Sequence, residues 1–205
     1  LNISFVIAAF VAIFSVVNPF SKVIFFPMIT HGLDGREKRN IIVLAVYMSF
    51  LIFLGFALLG GLLFESLGVS LISLRLAGGV IMFKIGWDML QGVIPKMKPS
   101  QDEWDEITEK RLIGVFPLAI PFISGPASIA TIVTYMSTSP GFTEQMLVIV
   151  STGLVCLITG VFLHYSDVIF NRIGKVGVFA AMRIMGLIIL AMSIEMLTNG
   201  ILAIE

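Results

Sequence analysis

The sequence predicts an all-α integral membrane protein of six transmembrane helices, built as two inverted-topology three-helix repeats whose first and fourth helices are broken. Three observations carry this expectation. The composition is too apolar for a soluble domain, six long apolar runs divide the chain, and a set of proline, glycine, arginine and carboxylate positions recurs at a fixed offset. Of the 205 residues, 58% are hydrophobic and 13% charged, against roughly 45–50% and about 25% in soluble domains. The mean hydropathy is +1.04. Such a chain cannot cover its surface with polar groups, which excludes a soluble enzyme and a disordered tail. With 13 basic and 13 acidic residues the net charge is zero, so nothing attracts nucleic acid. The single cysteine, Cys156, excludes an internal disulfide and a multi-cysteine metal cage.

A helix crossing the hydrocarbon core needs about 20 mainly apolar residues. Runs of that kind fall at 3–30, 41–64, 71–94, 112–137, 142–163 and 176–197. The first has no basic n-region and runs past any cleavage site, so it reads as a retained helix rather than a signal peptide. Orientation follows from lysine and arginine in the connections. Arg36, Lys38 and Arg39 follow span one; Lys96, Lys98, Lys110 and Arg111 follow span three; Arg172 and Lys175 follow span five. The opposite loops and both ends hold none, so the odd-numbered loops are expected in the cytoplasm and both termini outside. The polar segment 95–111, with Pro95, Pro99 and Trp104, separates a first repeat, 1–94, from a second, 112–205.

The two halves resemble each other. An offset of 107 residues lays Asn18-Pro19 on Gly125-Pro126, Gly79 on Gly186 and Asp88-Met89-Leu90 on Glu195-Met196-Leu197, and an offset of 108 lays Arg75 on Arg183. Three spans is an odd number, so the second half enters the membrane from the opposite side, an arrangement many secondary transporters use. Proline lacks an N–H and pushes the preceding residue out of helical geometry, so Asn18-Pro19 and Gly125-Pro126 are expected breaks. Pro19 and Pro126 suit the first position of a new helix, with Asn18 or Ser124-Gly125 at its cap. A broken backbone in the bilayer is tolerated only against protein or a watered cavity, and a half-helix N-terminus attracts a carboxylate. Ser15, Ser21, Ser124, Ser128 and Thr131 add hydroxyls there. Two kinks serving packing alone are the alternative.

Charged residues within the runs are expensive and ordinarily face a cavity or a partner. Arg183 fits that rule, whereas Arg75, close to a span end, has snorkelling to the surface as its alternative. Lys84 and Asp88, at i and i+4, are placed to neutralise each other. Glu195, near the outer end of span six, reads as solvated, and Lys22 either snorkels or lends the cavity a positive charge. His164 and Asp167 read as a solvated pair at the membrane surface. The 11 methionines read as packing and lipid-facing filler. No H-E-x-x-H, G-x-S-x-G, G-x-G-x-x-G or Walker A pattern occurs, so neither an enzyme nor a cofactor is expected. No ring of charges or repeated filter motif points to a channel.

Asn18-Pro19, Leu74-Arg75-Leu76-Ala77-Gly78-Gly79, Phe116-Pro117-Leu118-Ala119-Ile120-Pro121, Ser124-Gly125-Pro126, Arg183-Ile184-Met185-Gly186 and Asn199-Gly200-Ile201 together resemble the MarC family of six-span inner-membrane proteins, which includes SnatA-type small neutral amino acid transporters. The resemblance covers essentially the whole chain. It implies a multi-pass protein of the cytoplasmic (inner) membrane that moves glycine, alanine and similar amino acids. Asn18, Pro19, Ser21, Ser124, Gly125, Pro126, Ala127 and Ser128 would bind substrate mid-membrane, and Arg75 and Arg183 would line or gate the pathway. The coupling ion would be H+ or Na+. The expected partners are small neutral amino acids and the lipid bilayer, with no nucleic acid, and association with further copies of the chain stays open. An exporter of another metabolite or drug, with Phe20, Phe25, Phe26 and Phe122 near the breaks, and a non-transporting membrane scaffold are the rival readings.

Overall fold

Residues 3–30, 32–68, 70–92 and 113–202 are described by a computed structural model; the expected linker 95–111 lies outside them. Local sequence sets the helix ends. Helices α1 (Ile3–Val17) and α2 (Pro19–Ile29) are separated by Asn18 alone, which sits in the left-handed region at φ 48°, ψ 72°. Helix α3 (Gly35–Leu67) opens with a reciprocal cap: Asp34 Oδ1 accepts from the Glu37 N–H at 2.7 Å and the Asp34 N–H donates to Glu37 Oε2 at 2.9 Å. Gly68, at φ 62°, closes it, the left-handed C-terminal stop that glycine adopts without a Cβ penalty. Ser70 caps α4 (Leu71–Leu90) by accepting from the Ser73 N–H at 3.0 Å.

The second half repeats that order of elements. A wide-turned segment α5 (Gly114–Ile123) leads to α6 (Pro126–Thr138), then to α7 (Phe142–His164) and α8 (Ser166–Leu202). The interruption of α5 begins earlier than expected. Phe116 (φ −131°, ψ 129°) and Ile120 (φ −121°, ψ 126°) are extended, because each precedes a proline whose ring excludes the helical conformation from its neighbour. The peptide bonds to Pro117 and Pro121 are cis. Span four is thus interrupted at three positions where Ser124-Gly125-Pro126 alone was expected. A second correction concerns the fifth connection: only Tyr165 parts α7 from α8, and Arg172 and Lys175 lie in the first turns of α8 rather than in a loop.

Stretches Ile3–Val23, Gly35–Leu67 and Phe142–Val168 are long and apolar enough to cross a membrane, and Gly114–Ile123 with Pro126–Thr138, bent by 57°, makes a fourth. The other two expected spans are helical but more polar: α4 carries Arg75, Lys84 and Asp88 in 20 residues, and the apolar part of α8 is Gly186–Leu202. Among the described residues there is no strand.

Packing relates the halves. Helix α1 lies on α7 as α5 lies on α3, and α2 lies on α8 as α6 lies on α4. The long helices α3 and α7 run antiparallel, Phe50 facing Gly153 and Val46 facing Gly160. Helices α4 and α8 do the same, with Leu76 against Gly200, Gly79 against Leu197 and Gly86 against Gly186. Small residues let backbones meet in this way where burial from water supplies no driving force. Ile13, Phe26, Phe53, Leu118, Ile132, Val148 and Leu163 fill the core between α1, α2, α3, α5, α6 and α7. At one end of the bundle Lys38 Nζ binds both Asp167 oxygens, at 2.8 and 3.0 Å, tying the start of α3 to the start of α8. Asp167 is therefore paired with Lys38 across the bundle instead of sharing a solvated site with His164, which is exposed.

A Cβ at Gly86 would stand 2.9 Å from the Gly186 carbonyl oxygen and from the Leu190 nitrogen, whereas one at Gly61 meets nothing within 4 Å. Overpacking costs about 1–3 kcal/mol, and replacing a helical glycine by alanine gains about 1 kcal/mol. Gly86→Ala is expected to lower the thermal unfolding midpoint in detergent and Gly61→Ala to hold or raise it. Equal midpoints would contradict the backbone contact.

Candidate functional site

The first break is closed by its own residues. Val17 ends α1, so its carbonyl has lost its helical partner, and the buried Lys22 ammonium donates to it. Asn18 caps α2 with its side-chain oxygen on the Ser21 N–H at 3.4 Å, while the Asn18 carbonyl accepts from Ser21 Oγ at 2.9 Å. Pro19 is buried. The second break is closed on one side only. The Ser124 N–H and Oγ both donate to the Ala119 carbonyl, each at 2.8 Å, which satisfies the end of α5. The start of α6 has no such partner: its cap is Gly125, with no side chain to accept a bond. The first intrahelical bond is Ile129 N–H to Gly125 O at 3.0 Å. The N–H groups of Ala127 and Ser128 precede it, among the orphan donors every helix start presents.

That open turn borders a cavity of about 370 Å³, within the range of small-molecule sites. Ser15, Ser21 and Lys22 line it from α1 and α2; Phe122, Gly125, Ala127, Ser128 and Thr131 from α5 and α6; Met82 from α4; and Met192, Glu195 and Asn199 from α8. The rings of Phe25 and Phe122 stack with centroids 3.8 Å apart at 14°, joining α2 to the segment that enters α6. Thr131 Oγ donates to the Ala127 carbonyl at 2.8 Å, so its proton is committed and it can only accept from a ligand.

The sequence profile of MarC family integral membrane proteins matches residues 3–204. The chain belongs to the MarC family. Its relatives include a UPF0056 membrane protein of Methanocaldococcus jannaschii, 34% identical over 98% of this chain and 89% of the relative. The UPF0056 membrane protein YvbG of Bacillus subtilis is 32% identical over 97% and 94%, and one from Pyrococcus horikoshii is 35% identical over 94% and 92%. No solved structure matches. The protein is accordingly a multi-pass integral membrane protein.

Of the residues expected to bind substrate in this MarC chain, Ser21, Gly125, Pro126, Ala127 and Ser128 come together on the cavity wall, whereas Asn18, Pro19 and Ser124 do not line it. Asn18 and Ser124 act instead on the backbone of the two breaks. Arg183 is exposed on α8 and outside the cavity lining, and the side chain of Arg75 lies outside the described residues. Lys84 pairs with Asp88 on α4, as their spacing predicts. Glu195, read as solvated, is exposed and also borders the cavity, and Asn199 is an exposed lining residue that the sequence did not assign to the site. The available signal was the spacing of Met192, Glu195, Met196 and Asn199, which puts all four on one face of α8.

The left-handed backbone at Asn18 makes a graded prediction. Alanine there loses the cap, about 0.5–2 kcal/mol, and bears left-handed strain of about 1–2 kcal/mol; glycine escapes the strain and loses only a few tenths of the cap. Thermal melts in detergent should rank wild type and Asn18→Gly together, with Asn18→Ala clearly below. An alanine variant as stable as the glycine one would remove the conformational role.

Proposed function

We propose that this protein is a secondary transporter of small neutral amino acids, such as glycine and alanine, in the cytoplasmic membrane. The observation that carries the reading is the cavity at the open start of α6, where hydroxyls and the buried Lys22 meet an otherwise apolar wall and the exposed Glu195 stands at the edge. Six spans in two inverted repeats are the architecture this function needs. The antiparallel courses of α3 against α7 and of α4 against α8 support it, because corresponding helices of an inverted pair run in opposite directions. On this reading α4 and α8 also cross the membrane, with Lys84 paired to Asp88 and Glu195 bordering the cavity. Both termini lie outside, and the Lys38–Asp167 end is cytoplasmic, as the basic connections require.

The substrate carboxylate would meet the first turn of α6, and its ammonium would meet Glu195, Asn199 and the acceptor oxygen of Thr131. Met82, Met192 and Phe122 would bound a short side chain. Of the four phenylalanines that left room for a larger drug, only Phe122 lines the cavity, which favours a small solute. Rocking of one half on the other would expose the site to each side in turn, driven by a proton or sodium gradient.

The test is uptake of labelled glycine and alanine into proteoliposomes under imposed proton and sodium gradients. Uptake above protein-free vesicles is expected with one of the two gradients, and Glu195→Gln should lower the initial rate about tenfold, the loss of roughly 1.4 kcal/mol of charge-assisted binding. No uptake by folded protein in any condition overturns the proposal.

A further inference from the structure

We propose that Lys22 is the fixed cation of the cavity and that, with the first-turn N–H groups of α6, it forms one binding site for a carboxylate. The inference rests on the amino acid reading above and gives a specific role to a lysine that reading only counts among the polar groups of the cavity. Snorkelling is ruled out by position: Lys22 is 5% exposed, whereas a snorkelling lysine keeps its head group in water. Its ammonium has three N–H donors and donates to the Val17 carbonyl. No carboxylate stands within ion-pair distance of it among the described residues. Glu195, the acidic residue on the same cavity wall, does not pair with it. A buried lysine with no counter-ion is a costly arrangement that proteins retain where an anion completes it.

A second feature points to the same anion. The start of α6 is uncapped, and Ala127 and Ser128, whose N–H groups precede the first helical bond, line the cavity with Lys22. The Phe25–Phe122 stack keeps the two sources of positive charge together, since Phe25 is three residues beyond Lys22 and Phe122 three before Gly125. A helix N-terminus and a lysine facing one small cavity suit a compact, singly charged oxyanion. The cavity and the apolar surroundings fit the carboxylate end of a small molecule. The competing role for Lys22 is a structural tie that does no more than satisfy the Val17 carbonyl.

The experiment is titration calorimetry on purified protein in detergent with three probes: L-alanine, L-alaninamide, which lacks the carboxylate, and propionate, which lacks the ammonium. Wild type is expected to bind alanine at least tenfold more tightly than alaninamide. Lys22→Met, with an unbranched apolar side chain of similar length, should weaken alanine at least tenfold, and Lys22→Arg should recover part of the loss. Alaninamide bound as tightly as alanine, or unchanged alanine affinity in folded Lys22→Met, overturns the Lys22 site while leaving the amino acid reading intact. Propionate bound in a Lys22-dependent manner, without alanine binding, keeps the site and overturns the amino acid reading. No binding of any probe overturns both. Should Lys22→Met fail to fold, the wild-type comparison of alanine with alaninamide decides alone.

Discussion

A helix broken inside an apolar bundle releases N–H and C=O groups that lipid cannot satisfy, at several kcal/mol for each group left bare. This chain breaks two helices, and the way it treats the released groups organises the rest of the molecule. At the first break nearby side chains take up the released groups: Lys22 takes the Val17 carbonyl, and Asn18 and Ser21 close on each other. At the second, Ser124 satisfies the carbonyl side through Ala119, but glycine at the cap gives the amide side no side-chain acceptor. The two breaks are alike in sequence position and unlike in chemistry. The second has no side-chain cap, and its first turn borders the cavity.

The other hydroxyls follow the same economy. On α6, Thr131, Thr134, Ser137, Thr138 and Ser139 each donate to the carbonyl four residues earlier, at 2.7 to 2.9 Å. Thr152 and Thr159 do so on α7. A hydroxyl that bonds back to its own helix is tolerated in an apolar environment and leaves no demand on neighbours. The consequence is selectivity by elimination: a polar helix such as α6 looks rich in binding groups, yet most of its protons are spent internally. The amides of its first turn, the Ser128 hydroxyl beside them and the lysine across from them remain as donors on the cavity.

Much of the fold was legible in the sequence, because the strongest signals were local. Pro19 and Pro126 at the first position of a helix, and the caps Asp34 and Ser70, act over a few residues. The offset joining Asn18-Pro19 to Gly125-Pro126 reappears as the repeated order of elements. Less legible was α5, where Pro117 and Pro121 each push the residue before them into extended geometry; a proline in an apolar run is also tolerated as a simple kink, so the pattern alone does not separate the two outcomes. The site was legible in half. Gly125, Ala127 and Ser128 follow from a break, since the groups that line it are the backbone itself. Glu195 and Asn199 reach the cavity only through the α4–α8 crossing, and the closeness of that crossing depends on Gly86 meeting Gly186, a pairing no local pattern contains. Lys22 illustrates the remaining limit. Its distance from the break was plain, but whether its chain runs outward to the surface or inward depends on how α2 packs on α8 and α7.

The positive groups of the cavity belong to different halves of the chain, Lys22 to the first and the α6 amides to the second. On the proposed reading, a carboxylate that engages both is a bridge between the halves, with the Phe25–Phe122 stack beside it. A ligand shifts a conformational equilibrium by the difference in its affinity for the two states. A carboxylate held from both halves gains its full interaction only where those halves stand in one relation, and loses part of it where they separate. An anion held from one half alone would feel no such difference. The division of charge between Lys22 and α6 therefore links occupancy of the site to the relative position of the two repeats, which is the coupling that moving a solute across the membrane requires.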